Sequence, residues 1–498
     1  MKNLAVTAVL FAGILLSQVD ARAQYINGEP QTTSENAEAA DSPVIITLEQ
    51  ALQIALSENV SVKVADMEIQ RTEYAKKGSY ASLFPQIDAS GAYQRTIKKQ
   101  VMYMDFDMSS LMGGATGGTG SEGTELPEGT EIPETGTEST ESSSDSGGGI
   151  EMGRWNTWSA GVSASMPLVN LQLWKSLKLS GMDVELAVEK ARASRLDMVT
   201  QVKNAYYSTL LAKEAFEVYK QVYENALQNL DVTQQKYDAQ KASEMELLRA
   251  KTTVANAVPN VYNAEGSVIL ALWQLKAVLG VDLDMNLDVA GNLEDWSQQM
   301  LYDIHQHDEI SLDMNTTMKQ LAIQAEMLAE TVKLQKYANI PSLAVAFSFT
   351  YNAMTNDFNF KEYRWTPYSY VGLSLNIPIF AGGKRYHQIR QAKNQYEQVQ
   401  LQTLNTERQL KIAIRQQLNT MQTSMNSYYA AKDALASAQK AYDIVAKSYE
   451  VGRSTLIEVN DAQLALTQSQ LAASQAVFNF LSAKSQLEQA LGQDFINQ

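Results

Sequence analysis

The chain has 498 residues, which is long enough for more than one domain, and it contains no cysteine. The absence of cysteine excludes disulfides, thiolate nucleophiles, thiolate metal sites and a lipidated N-terminal cysteine. The formal net charge of −16 disfavours nucleic acid as a partner, and we expect none.

The N-terminal residues have the order of a secretory signal. Lys2 supplies a positive charge, residues 4–16 are apolar, and an A-x-A cleavage site ends at Ala23. This order predicts a signal peptide over residues 1–23, followed by a flexible polar lead-in over residues 24–46. Because no later run of about 18 apolar residues occurs, we predict no membrane-spanning helix.

A first structural repeat is predicted over residues 47–280. It opens with a capping box, in which the Thr47 hydroxyl accepts from the backbone N–H of Gln50 while the Gln50 side chain reaches back. Apolar residues then recur at helical spacing to about residue 81, with a break expected near Asn59.

Four segments alternate apolar with small or polar residues, at about residues 84–99, 155–168, 342–352 and 366–379. In each segment one face is apolar over roughly 10 residues, as in a transmembrane barrel strand that faces lipid on one side and water on the other. A soluble β-sandwich is the alternative interpretation. The signal peptide, the strand length and the small polar face favour the membrane barrel.

Aromatic residues gather near the ends of these strands. One interpretation is a girdle at the level of the lipid headgroups, and the other is ordinary packing on a sheet. The predicted girdle consists of Trp155, Trp158, Tyr351, Trp365 and Tyr368.

Between the first two strand segments lies an acidic stretch rich in Gly, Ser, Thr and Glu. Glutamate recurs at every third residue from Glu122 to Glu134, and no Lys or Arg interrupts the stretch. We predict a disordered acidic loop over about residues 104–150. If the strands form a barrel, this loop lies outside the cell.

The chain then repeats its own pattern. Asn59 and Pro85 match Asn315 and Pro341 at one constant spacing, and beyond the acidic loop the spacing shortens by about the length of that loop. Self-similarity of this kind predicts a second copy of the same supersecondary unit, over residues 313–492.

The longest helices of each repeat need other helices to pack against. Helical periodicity runs without proline from residue 171 to about 238, a length of roughly 100 Å at 1.5 Å per residue. Helices this long must bury their apolar stripes on one another, as in coiled coils. A linker over residues 281–312 joins the repeats and is expected to pack outside the helices, and a tail over residues 493–498 follows the second repeat.

Matching turns join these helices. The turn YDAQKASEMELLRA at residues 237–250 corresponds to YEVGRSTLIEVNDA at residues 449–462. Each turn lies between two long helical stretches, so each is predicted to be the tip of a helical hairpin.

In this order, the signal peptide, the duplication, the strand pairs and the long helices resemble the TolC-type outer-membrane efflux family. The matching motifs are ITLEQALQIALSENV at 46–60, SLFPQI at 82–87, NIPIFAGGKR at 376–385 and YEVGRSTLIEVNDAQ at 449–463. The resemblance covers nearly the whole mature chain.

The resemblance implies a mixed α+β membrane protein in which three chains each contribute four strands to one 12-stranded transmembrane β-barrel. Their long coiled-coil helices form an α-barrel that extends into the periplasm. The implied function is a passive outer-membrane duct that exports small molecules or polypeptides. The implied partners are two further copies of the chain, outer-membrane lipid, a periplasmic adaptor protein and an inner-membrane pump.

The resemblance also implies a gate at the periplasmic end, held by a tyrosine, an arginine and acidic residues. By position, Tyr449, Glu458 and Asp461 match the tyrosine and two of the acids, and Glu246 matches Glu458 in the first repeat. In a three-fold assembly these acids would form rings that attract cations.

The arginine of the gate is displaced in this chain, because Ser454 occupies its position. Arg453 lies one residue earlier, and a one-residue shift turns a helical side chain by about 100°. Arg249 is the second candidate for the role.

No enzyme, cofactor or metal site is predicted. His305 and His307 supply two metal ligands and no third, so a solvated loop is the favoured interpretation. A coiled-coil surface or periplasmic scaffold or adhesin with a β-region remains the alternative function. A substrate-specific porin is disfavoured, because a porin has no use for such long helices.

Overall fold

The computed structural model describes residues 43–102, 150–301 and 311–493. These residues form two compact units. We call the first the hairpin unit; it comprises residues 43–62, 195–301 and 414–489. The second, the sheet unit, comprises residues 63–102, 150–194, 311–413 and 490–493. Within the described ranges, none of the helices combines the length and the apolar composition needed to cross a membrane.

Long helices dominate the described chain. The α-helices are α1 (Leu48–Glu58), α2 (Val60–Ala81), α3 (Leu171–Asp238), α4 (Glu244–Leu279), α5 (Thr316–Tyr337), α6 (Lys384–Glu450) and α7 (Leu456–Leu491). The strands are β1 (Val44–Ile46), β2 (Gln86–Arg95), β3 (Gln100–Met102), β4 (Ile150–Met152), β5 (Asn156–Val169), β6 (Leu287–Val289), β7 (Ser342–Thr355) and β8 (Thr366–Asn376). Short 3₁₀-helices occupy Leu293–Leu301 and Phe360–Glu362.

The sheet unit contains one antiparallel sheet in the order β2-β5-β7-β8. Its register brings the apolar residues of all four strands to one face, because residues that pair across strands point to the same side. One row on that face consists of Ile87, Ala164, Phe347 and Val371, and the next row, on the opposite face, consists of Asp88, Ser163, Ser348 and Tyr370. The sheet therefore has one apolar and one polar face, as the alternation predicts.

The strand ends differ from the predicted bounds by a few residues. β2 ends at Arg95 rather than near residue 99, because the chain leaves the sheet there and β3 pairs with β4 in a separate two-stranded sheet. β5 continues to Val169, and its pairing with β7 is irregular between Pro167 and Val169 because proline has no N–H for the ladder. β8 ends at Asn376 rather than at residue 379.

The end of the predicted flexible lead-in is ordered, which corrects its boundary at residue 46. Val44–Ile46 forms β1, which pairs in parallel with β6 in the linker. The Tyr206 hydroxyl lies 2.7 Å from the carbonyl oxygen of Ala290 and 3.2 Å from that of Ile46. Ile46 is buried, so this strand ties the start of the first repeat to the linker.

The first helical stretch breaks at Asn59, as predicted. The Asn59 side chain donates to the carbonyl oxygen of Val278 at 2.7 Å and accepts from the backbone N–H of Ser61. Gly280 ends α4 beside it with a φ of +77°, and a Cβ there would lie 3.1 Å from the Asn59 Cα. Both constraints require glycine at the end of α4.

The hairpin unit buries small residues at regular intervals. Ala250, Ala257, Ala264 and Ala271 recur every seventh residue of α4, and all four are buried. On α7 the buried residues include Val459, Leu466, Phe480 and Leu487, at multiples of seven. This spacing keeps one narrow stripe of each helix against its neighbours, and the alanines allow close approach of the helix backbones.

Candidate functional site

The two predicted turns have the same backbone hydrogen bonds. In the first turn the N–H groups of Gln240 and Lys241 donate to the carbonyls of Tyr237 and Lys236. In the second turn the N–H groups of residues 452 and 453 donate to the carbonyls of residues 449 and 448. This pair of bonds is the Schellman ending of a helix, which requires a left-handed residue at the turn. Gly452 has a φ of +77°, and Gln240 adopts the same region with a φ of +60°.

Each turn leads directly into a capping box, and the two predicted glutamates belong to it. The Glu246 carboxylate accepts from the backbone N–H of Ser243 at 3.3 Å, and that of Glu458 accepts from the N–H of Thr455 at 2.8 Å. The Ser243 and Thr455 hydroxyls accept in return from the backbone N–H groups of the glutamates. The helix N-termini therefore orient both carboxylates.

Tyr449 is buried in the hairpin unit and does not project into solvent. Only 3% of its surface is exposed, and its hydroxyl lies 2.6 Å from the Thr233 hydroxyl of α3. It packs against Ala250, Leu456 and Val459. Burial raises the pKa of its phenol. The tyrosine thus joins the end of α6 to the end of α3.

The first-repeat equivalent of this tyrosine has a different environment. Tyr237 is 38% exposed, whereas Tyr449 is enclosed. The two turns share their backbone geometry, but only the second inserts its tyrosine between the hairpins.

Lys236 is the residue of this site that sequence reasoning missed. Its ammonium group lies 3.6 Å from the ring centroid of Tyr449 and donates to the backbone carbonyl of the same residue. Burial lowers the pKa of Lys236, while Glu246 and Glu450 act in the opposite direction. The sequence held one signal for this contact: Lys236 and Thr233 are three residues apart, so they share one face of α3.

The remaining predicted gate residues lie at the surface of the same unit. Arg453 and Asp461 are exposed, and so is Arg249. Among the residues that the structure describes, none of the three forms an ion pair. Arg249 lines a groove of about 560 Å³ that also contains Met245 and Asn460. Neither arginine contacts Tyr449 through a hydrogen bond within the described chain, and Lys236 supplies the cation there instead.

The predicted girdle residues divide between the two faces and the rim of the sheet. Tyr351 lies on the apolar face and is 41% exposed. Tyr368 pairs with Thr350, which places it on the polar face. Trp155 and Trp365 lie just outside the strands and are partly exposed. A lipid-facing girdle therefore remains a prediction for the residues other than Tyr368.

Trp158 lies on the apolar face beneath a loop. Its ring centroid is 4.3 Å from that of Tyr93 on β2 and 5.0 Å from that of Phe360 in the β7–β8 connection. The connection therefore covers this end of the apolar face, so Trp158 packs against protein on at least one side.

No metal-binding cluster of three or more His, Asp or Glu side chains occurs within the described ranges. His305 and His307 lie outside them, and so does nearly all of the predicted acidic loop over residues 104–150.

Comparison with protein families relates this arrangement to transport across the outer membrane. The family model described as outer membrane efflux protein matches residues 133–281 and 309–493. The outer membrane protein TolC of Vibrio cholerae is 21% identical over 342 residues, which cover 67% of this chain and 76% of that protein. The protein of the same name from Escherichia coli is 21% identical over 352 residues, 68% of this chain and 70% of its own.

A solved structure has the same fold. The crystal structure of the Campylobacter jejuni CmeC outer membrane channel aligns with a TM-score of 0.64 at 16% identity. The alignment covers 89% of this chain and 85% of that one.

Proposed function

This chain belongs to the outer membrane efflux protein family, and we propose that it is a passive duct whose opening is controlled where its helical hairpins turn. It is an outer-membrane protein, and its role is that of an exit duct for efflux or secretion. The family is one of channels rather than enzymes.

Several copies of the chain share one transmembrane β-barrel in our proposal. The sheet ends at β2 on one side and at β8 on the other, and among the described residues of one chain each of these strands has an unpaired edge. Unpaired backbone groups cannot face hydrocarbon, so the edges must pair with those of other copies. Three copies with four strands each form a closed barrel of 12 strands around a channel. The polar face then lines the channel and the apolar face contacts lipid.

The periplasmic gate in this proposal is centred on Tyr449. Its contacts with Thr233 and Lys236 hold the end of α6 against the end of α3 within one chain. The hairpins must separate for the duct to open, and that separation breaks both contacts. Glu458 and Asp461 then form rings at the entrance when three chains assemble, which favours passage of cations.

The partners follow from the same architecture. A passive duct needs an energy source, and we propose that an inner-membrane pump supplies it through a periplasmic adaptor. The adaptor docks at the hairpin turns, because these are the parts of the helices farthest along the chain from the strands.

The observation that carries the proposal is the register of the sheet, which collects the apolar residues of four strands on one face. The test is to isolate outer membranes and run the protein on a gel with and without boiling. We expect an oligomer that heat converts to a monomer. Absence of the protein from the outer-membrane fraction, or its migration as a monomer before boiling, would overturn the proposal. Either result would favour a scaffold or adhesin.

A further inference from the structure

Basic side chains concentrate at the end of the sheet that is opposite the helix connections. At this end β2 stops, β5 and β8 begin, and β7 passes into its connection to β8. We call this surface the rim patch. It consists of the exposed side chains of Ile97, Phe358 and Phe360 and the exposed cations Arg95, Lys98, Arg154, Lys361 and Arg364.

Backbone and side-chain hydrogen bonds hold the segments of the rim patch together. The N–H of Thr96 donates to the carbonyl of Trp155 at 2.8 Å, which joins the end of β2 to the start of β5. The Asn156 amide donates to the carbonyl of Asp357 at 3.2 Å. The Tyr363 hydroxyl donates to the same carbonyl at 2.8 Å. The basic side chains are therefore presented by one ordered structure rather than by separate loops.

The charge of the rim patch is opposite to that of the whole chain. The segments 93–99, 153–158 and 356–366 contain six Lys or Arg residues, including Lys99, and only two acids, Asp357 and Glu362. The chain as a whole carries a net charge of −16. Within the described chain, none of the five cations of the rim patch is ion-paired.

Aromatic rings accompany the cations. The Arg95 guanidinium lies 5.9 Å from the ring centroid of Phe358, and the Lys99 ammonium lies 4.9 Å from that of Trp155. Phe358 is 54% exposed and Phe360 is 56% exposed, while Ile97 is 94% exposed. Exposed apolar groups beside cations are typical of an interface between hydrocarbon and charged headgroups.

The apolar face of the sheet reaches the rim patch at the β2 edge, where Tyr93 is exposed, whereas the β7–β8 connection covers the face at Trp158. Arg95 pairs with Asn156, and Tyr93 pairs with Trp158 two positions earlier, so the arginine lies on the apolar face at its end. A molecule with acyl chains along this face would therefore place its headgroup among the cations.

From this geometry we propose that the rim patch binds the phosphate groups of an anionic glycolipid of the outer leaflet, with the acyl chains lying on the apolar face. The proposal rests on the function proposed above, in which the apolar face of the sheet contacts lipid. Each Lys or Arg near an anionic lipid surface strengthens binding about five-fold.

The test compares two triple variants with the same loss of charge. In the first, Arg95, Arg154 and Arg364 are each replaced by glutamine. In the control, Arg415, Lys440 and Lys447, which are exposed on α6, are each replaced by glutamine. Detergent-purified protein is titrated with fluorescent lipid A in mixed micelles with phosphatidylcholine, and inorganic phosphate is added as a competitor in a parallel series.

We expect the rim variant to bind lipid A roughly 100-fold more weakly than the wild type, because three cations are lost. We expect the control variant to bind within two-fold of the wild type, and inorganic phosphate not to displace the lipid at equal phosphate concentration. Equal weakening in both variants, or no weakening in the rim variant, would refute the proposal. So would displacement by inorganic phosphate alone, which would assign the patch to the free anion.

The same preparations distinguish failure of this inference from failure of the proposed function. The rim variant is also run unboiled on a gel and inserted into lipid bilayers. If it forms the heat-sensitive oligomer and conducts but binds lipid A like the wild type, only the lipid site is refuted. If the wild type forms no oligomer, the duct itself is refuted.

Discussion

The ammonium group of Lys236 lies 3.6 Å from the ring centroid of Tyr449, at the junction of the two helical hairpins. The two residues are 213 positions apart, in different copies of the repeat. With the 2.6 Å contact between the Thr233 and Tyr449 hydroxyls, this pair connects α3 to α6 at their turns. In the proposed gate, these contacts oppose opening within each chain.

Replacing Lys236 with methionine is expected to favour the open duct. Methionine keeps the apolar stem but loses the cation–π contact and the hydrogen bond, which together contribute about 1–2 kcal/mol. The open-state population of purified channels in bilayers should rise roughly 5- to 30-fold. The matched control is Lys241→Met, since Lys241 lies exposed in the same turn. The gate assignment is wrong if both variants open equally or if neither does.

Exchanging glycine and glutamine at the left-handed positions of the two turns is expected to change the stability of the hairpin unit in opposite directions. Gln240 adopts a φ of +60°, a conformation that costs a non-glycine residue about 1 kcal/mol. Gln240→Gly should therefore stabilise the hairpin unit by up to about 1 kcal/mol, and Gly452→Gln should destabilise it by about as much. No atom lies within 4 Å of a Cβ built at Gly452, so strain rather than a clash is the cause. Denaturant unfolding of the two variants checks the signs, and a common sign for both would contradict the explanation.

Two glycines of the sheet provide a test of the strand pairing. A Cβ at Gly161 would lie 2.8 Å from the carbonyl oxygen of Phe349 and 2.8 Å from the Thr350 hydroxyl. Gly161→Ala should therefore weaken pairing of β5 with β7 by about 1–3 kcal/mol. At Gly91 the nearest atom is 3.9 Å away, so Gly91→Ala serves as the control. We expect a lower dissociation temperature of the oligomer for the first variant only; the register would be in error if Gly91→Ala had the larger effect.

Glu330 is expected to make the stability of the sheet unit depend on acid pH. Its carboxylate is 5% exposed and lies 2.7 Å from Lys175, 2.9 Å from Lys178 and 3.0 Å from Lys333. Hydrogen bonds from Lys175 and Lys178 lower its pKa from 4.5 to about 2. Because the folded pKa is depressed, this stabilisation is fully present above pH 4.5 and is lost as the pH falls towards 2.

The measurement is the unfolding midpoint between pH 6 and pH 2 for three proteins. Glu330→Gln should be less stable than the wild type near neutral pH and should lose less stability on acidification. Glu326→Gln, which removes an exposed carboxylate one turn earlier on α5, should follow the wild type. An unchanged acid profile in Glu330→Gln would show that this cluster does not contribute to the pH dependence.

The features that could be predicted from sequence are those with a local period. Alternation over about 10 residues is enough to assign both faces of each strand, and the register preserves that assignment because a one-residue slip would invert it. The same alternation already places Tyr368 on the polar face with Tyr370, so its position at a strand end alone does not make it a lipid-facing residue. The capping box at Thr47 was likewise visible, because its partner Gln50 is three residues away. The break at Asn59 was also predicted, although the Asn59 side chain donates to the distant Val278.

The features that sequence could not supply depend on contacts between distant residues. Alignment of the repeats sets Lys236 against Ser448, so the duplication gives no reason to single out this lysine. Its partner is defined only when α3 and α6 pack together. The three residues of β1 are too few for a periodic signal, and their order comes from pairing with β6.

In the proposed function, several copies of this chain form one conducting channel with a gate at the hairpin turns. The most direct measurement is the current across a planar lipid bilayer that contains the purified oligomer. We predict discrete current steps, with longer or larger openings for the double variant Lys236→Met, Thr233→Val. An intact oligomer that inserts into the bilayer and carries no current, in the wild type and in the double variant alike, would contradict the claim.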